Sequence, residues 1–214
     1  KGSGTTALAL TDSSPDSEEV ALPQPDDEED SATGLARRHV DSRLQTALKK
    51  FHKVYKYIFI DCPPALNLLT INALVASDYA LIPTPCTGLA VSTMHQLSAL
   101  IERVQERQNI WLQVLGVLVT MKDGRTDLHK EAQKELKNHF KGDLFKTMIT
   151  NNIKIEEAPS AFNSIFSYDS GCLGASLYRD WIKGELMRRH KVLEKKRSDR
   201  LEQINALSVQ PLQP

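Results

Sequence analysis

The apolar run Tyr57-Ile-Phe-Ile60, followed by Asp61-Cys62 and then Pro63-Pro64, constrains this chain more than any other stretch. Aromatic and β-branched residues in a short run favour a buried strand. That strand delivers one carboxylate, Asp61, at its C-terminal end. Pro63 and Pro64 remove backbone donors and fix φ, so the ladder stops there and the exit loop is stiff. In an open α/β sheet, ligands bind outside the carboxyl ends of the strands, which makes an acid at that position a candidate site residue. The alternative is an ordinary turn acid closing a buried strand.

The rest of the chain alternates between two periods. Leu35, Val40, Leu44 and Leu48 lie close to helical spacing and predict a packing helix over Leu35–Lys53. Further helices are expected at Leu68–Val75, Leu89–Arg107, Asp127–Phe140 and from about Gly174. Between them, strands are expected at Tyr79–Pro83, Val114–Thr120 and Leu144–Ile149. Strands alternating with helices imply crossover connections and a mostly parallel sheet. With 214 residues, the chain can hold one sizeable α/β core plus tails.

Several separated motifs resemble the ParA/MinD-type partition ATPases, a P-loop NTPase family, in the family's own order. Tyr57-Ile-Phe-Ile-Asp-Cys-Pro-Pro64, continued by Asn67 to Pro83, resembles the Walker B and switch II region. The likeness extends through Pro85–Ala90, Gly116–Thr126 and Asn152–Ser160, covering roughly residues 35 to 185. It implies a P-loop NTPase-like, mostly parallel sheet flanked by helices, with its N-terminal edge incomplete. It also implies three regions: a remnant loop and acidic linker over 1–34, a ParA-like domain over 35–185 and a basic helix and tail over 186–214. By resemblance Asp61 is the Walker B acid, holding Mg²⁺ through water, with Pro63 beside the nucleotide and Asp123 in the loop near the base.

The N-terminal residues depart from the family pattern. Lys1-Gly-Ser-Gly-Thr-Thr6 resembles a shortened phosphate-binding loop, with Gly2, Gly4, Thr5 and Thr6 as nucleotide contacts and Thr5 as a Mg²⁺ ligand beside Asp61. No lysine stands between Gly4 and Thr5. A phosphate cradle uses glycines for close backbone approach, an ammonium for the β and γ phosphates and a hydroxyl for Mg²⁺. A flexible glycine-rich terminus is the alternative. Thr11–Thr33 is rich in Ser, Pro, Asp and Glu and has the composition of a disordered linker. The family's first strand and its water-positioning aspartate are unmatched, leaving catalytic residues unassigned.

Charge is balanced overall at 27 basic and 27 acidic residues, yet Ala7–Ala36 contains no Lys or Arg, whereas the C-terminal thirty residues are rich in both. Arg188, Arg189 and Lys191 are therefore candidate DNA contacts, with a mixed-charge solvated helix as the alternative, and by the family resemblance Lys154, which keeps a position that is basic in relatives, is a candidate phosphate or DNA contact, with a solvated charge as its alternative. Thr150 and Asn151 stand where relatives commonly carry Pro-Arg, and Cys172-Leu173 where they often carry a basic residue. Cys62, Cys86 and Cys172 lack metal-ligand spacing, and Cys62 fits a small core residue better than a nucleophile. No apolar run approaches a membrane span.

The resemblance implies an ATP-switched homodimer, with ATP and Mg²⁺ as cofactors, that binds nonspecific DNA of the nucleoid in the cytoplasm. A cargo-linked partner protein would stimulate release, and no membrane contact is expected. Cargo would be a plasmid, a chromosome or a protein compartment such as a carboxysome. A non-hydrolysing ParA-like interaction module and an N-terminally incomplete fragment are the competing readings.

Overall fold

The computed structural model describes residues 4–9, 42–51, 54–63, 65–123 and 127–208. Gly2 and the acidic linker lie outside the described residues.

Apolar runs became strands, and these lie side by side in parallel. The sheet has the order β2-β1-β3-β4, with β1 Gly4–Ala9, β2 Tyr57–Cys62, β3 Tyr79–Pro85 and β4 Gln113–Thr120. The segment expected to be a loop remnant and linker thus contributes a strand to the sheet that holds Asp61. Helices α1 (Arg43–Leu48), α2 (Leu68–Ala76), α3 (Gly88–Arg107) and α4 (Asp127–Phe140) follow the predicted alternation. Side chains alternate across β3. Ala80 and Ile82 pack under α2, α3 and α4 with Met94, Leu97, Ile101 and Leu136, whereas Tyr79 and Leu81 face Phe145, Ile149 and Trp181 on the opposite side.

Helix α3 forms where Thr87 caps its N-terminus, the side chain accepting from the Ala90 N–H. Its residues Met94, Leu97, Ile101 and Val104 recur every three or four positions and are at most 2% exposed, so one face is fully committed to the sheet. Asn109 stitches the two halves of this layer together. Its amide donates to the carbonyls of Leu74, Val75 and Ser77, and its Oδ1 accepts from Trp111 N–H.

The second face is covered by α7 (Leu173–Trp181), a π-helical turn at Ile182–Leu186, and α8 (Met187–Ser208), which form one continuous run. The boundary expected at 185/186 falls inside that run and has no break in the backbone. Leu193 and His190 face the sheet; the His190 ring meets Tyr57 and Tyr79 edge-on at 5.7 and 5.0 Å. Arg197 pairs with Asp78 just ahead of β3, and Arg200 lies 5.2 Å over the Trp111 ring. Helix α8 therefore runs along the N-terminal edge of the sheet.

Leu144–Ile149 is not a regular strand. It touches β4 through isolated bridges, Leu144 with Val117 and Thr150 with Lys122, and through N–H donation from Phe145 and Ile149 to Val117 and Val119. Its other side turns to a carboxylate: Glu185 accepts from the N–H groups of Lys146 and Thr147 at 2.7 and 2.8 Å and from the Thr147 hydroxyl. Burial pushes the Glu185 carboxyl up, but these hydrogen bonds outweigh it and hold it below the usual glutamate value. A depressed folded-state value stabilises the fold above the unfolded value and is lost as pH falls through the folded one. Glu185→Gln is thus expected to lower stability near neutrality and to flatten its decline at acid pH. Urea melts of the two proteins from pH 7 to pH 3 check this, and parallel curves would dismiss it.

Two short helices were not expected. Helix α5 (Ile153–Ser160) starts where Asn152 accepts from Lys154 N–H, and α6 (Ile165–Tyr168) where Ser164 accepts from Ser167 N–H.

Candidate functional site

All four strands point their carboxyl ends the same way, so the loops after β2, β3 and β4 share one edge. The chain passes from β1 outward to β2 and then returns over β1 to β3 and β4. Connections leaving β1 and β3 therefore diverge, which is the switch-point arrangement at which open α/β sheets bind ligands.

Asp61 occupies that edge. It is exposed, and in register it faces Leu8, which in turn faces Leu81. Strand β2 ends at Cys62, while β3 continues through Pro83 and Thr84 to Pro85. That overhang of β3 rises roughly 10 Å above the end of β2 at strand spacing, leaving the carboxylate on the lower step of a notch. Pro63, exposed, leads out of the strand. Beyond it, the Thr70 hydroxyl donates to the Ala65 carbonyl at 2.6 Å and Asn67 caps α2, so the exit loop is tied to the helix that follows.

Cys62 faces the opposite side and is 5% exposed. Burial, and secondarily the Asp61 charge beside it, push its thiol up to about 11. A thiol so raised stays protonated near neutrality and is a poor nucleophile.

The structure does not gather every expected site residue here. Gly4, Thr5 and Thr6 lie in β1 as strand residues, paired with Tyr57, Ile58 and Phe59. Thr5 is level with Ile58, so its Cα lies about 10 Å along the strand direction from the Asp61 row. By backbone register Thr5 and Asp61 therefore sit three rows apart on neighbouring strands. An exposed carboxylate at a strand end does fit a hydrated Mg²⁺, which takes few carboxylates and keeps its waters. Asp123 follows β4 on the same edge, across the sheet from β2, where the backbone is held through Lys122 N–H to Ile149 carbonyl.

The expected cations disperse. Lys154 pairs with Glu157 at 2.9 Å, and the Tyr168 hydroxyl donates to the same carboxylate. Arg189 departs from the expected role as a phosphate contact on an open helix face. Its guanidinium donates to the carbonyls of Gly142, Asp143 and Leu115 and lies 4.8 Å over the Phe145 ring. Arg188 is exposed but donates to Gly184 carbonyl, and Lys191 is exposed on the outer face of α8. These α8 residues belong to the side of the molecule away from Asp61. The docking of half-buried Arg189 has no signal in the sequence, because its partners are main-chain carbonyls. Among the described residues, no cluster of three or more His, Cys, Asp or Glu could hold a metal, and no helix is long and apolar enough to cross a membrane.

Known proteins resemble this chain both in sequence and in fold. A family model described as an AAA domain matches residues 28–114. The sporulation initiation inhibitor protein Soj of Bacillus subtilis is 43% identical over 141 residues, covering 66% of this chain and 56% of Soj. The chromosome partitioning protein ParA of Caulobacter vibrioides is 37% identical over 138 residues, covering 64% of this chain and 52% of that protein. The solved structure of the septum site-determining protein MinD from Pyrococcus horikoshii, complexed with Mg-ADP, matches with a TM-score of 0.51 at 19% identity, over 64% of this chain and 53% of MinD. That last likeness is one of fold. The chain spans a little over half the length of the two curated relatives. Through its sequence relatives and its parallel sheet, with Asp61 at a strand end, the chain belongs to the ParA/MinD-type partition ATPase family.

Proposed function

We propose that this chain carries the Walker B and switch II side of an ATP-dependent ParA-type positioning protein. The observation that carries the reading is Asp61, exposed at the carboxyl end of β2 beside the switch point, in a chain 43% identical to Soj. Asp61 would hold Mg²⁺ through water, Pro63 would fix the direction of the exit loop, and Asp123 would approach the base from the β4 side. Bound Mg²⁺ would neutralise charge on the phosphate oxygens of ATP. Asp61 would act by orienting coordinated water rather than as a base. Gly4, Thr5 and Thr6, with Gly2 before them, would complete the phosphate contacts in a conformation in which the start of β1 leaves the strand.

In this reading the protein works in the cytoplasm as an ATP-switched homodimer on nonspecific nucleoid DNA. A cargo-linked partner would stimulate its release, and the cargo would be a plasmid, a chromosome or a compartment such as a carboxysome. Lys154, Arg188 and Lys191 remain the candidate DNA contacts; Arg189, held by three carbonyls, serves packing first.

A second reading, a non-hydrolysing interaction module, is favoured by the separation of Thr5 from Asp61 and by the missing lysine between Gly4 and Thr5. Equilibrium titration with a fluorescent ATP analogue, with and without Mg²⁺, decides between them. Mg²⁺-dependent binding is expected. A chain that is folded by circular dichroism yet binds no analogue at millimolar concentration would leave the interaction module.

A further inference from the structure

Helices α3 and α4 pack side by side on one face of the sheet, and on their solvent side two histidines meet. His95 of α3 and His139 of α4 have ring centroids 4.1 Å apart, with their planes inclined at 67°. Both side chains are exposed. The Ser98 hydroxyl, one turn along α3 from His95, lies 3.3 Å from His139 Nε2 and orients that ring. His95 makes no hydrogen bond or ion pair with another described residue, so its ring is held only by its neighbour.

Two protonated rings at this distance repel each other, whereas two neutral ones do not. Partial desolvation and the charge of His95 hold the His139 imidazole below its usual value, against the opposite pull of Glu102 and Glu135. A neutral imidazole keeps one lone pair free, and zinc, nickel and copper ions are the metals that imidazole suits. Two nitrogen ligands of a tetrahedral Zn²⁺, each about 2.1 Å from the ion, stand about 3.4 Å apart. Exposed rings already in contact reach that separation by rotating about their own side-chain bonds, with both helices left in place. In the tautomer whose Nε2–H donates to Ser98, the His139 lone pair lies on Nδ1, and Ser98 takes the part of the outer hydrogen-bond partner that metal-binding histidines use. The surroundings favour positive charge as well. Glu102 and Glu135 bring carboxylates, and His139 stands in the last turn of α4, where the helix presents the negative end of its dipole. Two protein ligands leave the other positions of the ion to water, in keeping with the lack of any cluster of three ligating side chains among the described residues.

We propose that His95 and His139 form a water-open site, bridging α3 and α4, for a divalent transition-metal ion of the zinc, nickel and copper class. The site is separate from Asp61 and does not rest on nucleotide binding there.

The test uses the full chain, stripped with EDTA, desalted and free of nucleotide, titrated with Zn²⁺ against a chromogenic chelator and with Ni²⁺ in parallel. Both ions are expected to bind, and millimolar Mg²⁺, which prefers oxygen ligands, should not displace them. His95→Asn and His139→Asn are each expected to weaken Zn²⁺ binding at least about tenfold, because losing a ligand costs no less than the roughly 10-fold to 100-fold loss on removing an outer partner. Ser98→Ala should weaken it less than either. Cys172→Ser, which removes a half-buried thiol capable of holding zinc by itself, should leave it unchanged. Because the ion bridges two helices, Zn²⁺ should raise the urea midpoint of the wild type and of neither histidine variant. No binding by the wild type, equal affinity of the wild type and His95→Asn/His139→Asn, or a loss confined to one of the two single variants overturns the proposal; the last result would mean that a lone imidazole holds the ion. Both rings being exposed, metal-free melts of the variants should coincide with that of the wild type, which excludes unfolding as the cause.

Discussion

Asp61→Ala is expected to weaken binding of a fluorescent ATP analogue by roughly 30-fold in the presence of Mg²⁺, while leaving the weaker Mg²⁺-free binding almost unchanged. The carboxylate is exposed, accepts no hydrogen bond from another described residue, and ends the edge strand of the sheet, so its removal should barely disturb folding. What would be lost is a charge-assisted interaction with metal-bound water. Hydrogen bonds to charged groups contribute about 1.5–3 kcal/mol, and about 2 kcal/mol converts to the stated factor. Asp61→Asn keeps the shape and one acceptor but not the charge, and should fall close to alanine. If both variants bind Mg·ATP as the wild type does, Asp61 is a turn acid. Equal weakening with and without Mg²⁺ would instead mean that the carboxylate acts on the loop rather than on the ion.

Asp61 lies in the part of the protein that the sequence displays most openly. Tyr57–Ile60, Tyr79–Pro83 and Val114–Thr120 are apolar enough to be strands in any α/β context; Pro63 marks where the first stops, whereas β3 runs on through Pro83 to Pro85 instead of ending at Pro83. Helices α3 and α4 follow from the three-and-four spacing of Met94, Leu97, Ile101 and Val104 and from Ala132 and Leu136, all buried. Cys62 was legible as a core residue because a thiol between an apolar strand and two prolines has no base at hand.

Other features depend on contacts between residues far apart in the chain. Leu144-Phe-Lys-Thr-Met-Ile149 alternates like a strand, but Glu185, some forty residues on, takes the N–H groups of Lys146 and Thr147 that a further strand would have used. In the sequence, Glu185 looks like one of several acids interrupting a basic helix. The π-helical turn at Ile182–Leu186, which holds it, has no local signature. Arg189 was misplaced for the same reason. A cation within the run Arg188-Arg189-His190-Lys191 looks like part of a solvated face, whereas Leu186, Arg189, His190, Leu193 and Arg197 form the stripe turned to the sheet. Signals for α5 and α6 were present in Asn152 and Ser164, both good N-caps.

Arg189 also explains a glycine. Gly116→Ala is expected to destabilise the fold by about 2–4 kcal/mol, among the larger effects of any single methyl group added to this chain. Strand β4 carries a bulge: Ala80 pairs with Val114, but Leu81 pairs with Gly116, leaving Leu115 as the extra residue. The bulge puts Leu115 and the α-carbon hydrogens of Gly116 towards the same layer, and it lets Val117 and Val119 return to the opposite core. Gly116 adopts φ +152°, where L-residues are rare. A β-carbon there would lie 2.5 Å from Arg189 Nη1 and 2.5 Å from the Phe145 ring. The methyl group would have to displace a guanidinium bound to three carbonyls, or an aromatic ring that is 2% exposed, and neither can yield cheaply. Arg189→Ala alone should cost about 2 kcal/mol, since it leaves the carbonyls short of a charged donor. If the clash with Arg189 dominates, the Gly116→Ala/Arg189→Ala double variant will be more stable than the sum of the two single losses requires, because Arg189→Ala opens the space that the methyl group at position 116 fills. Strict additivity in denaturant melts would place the strain in the backbone at Gly116 and in Phe145, and would remove Arg189 from the account.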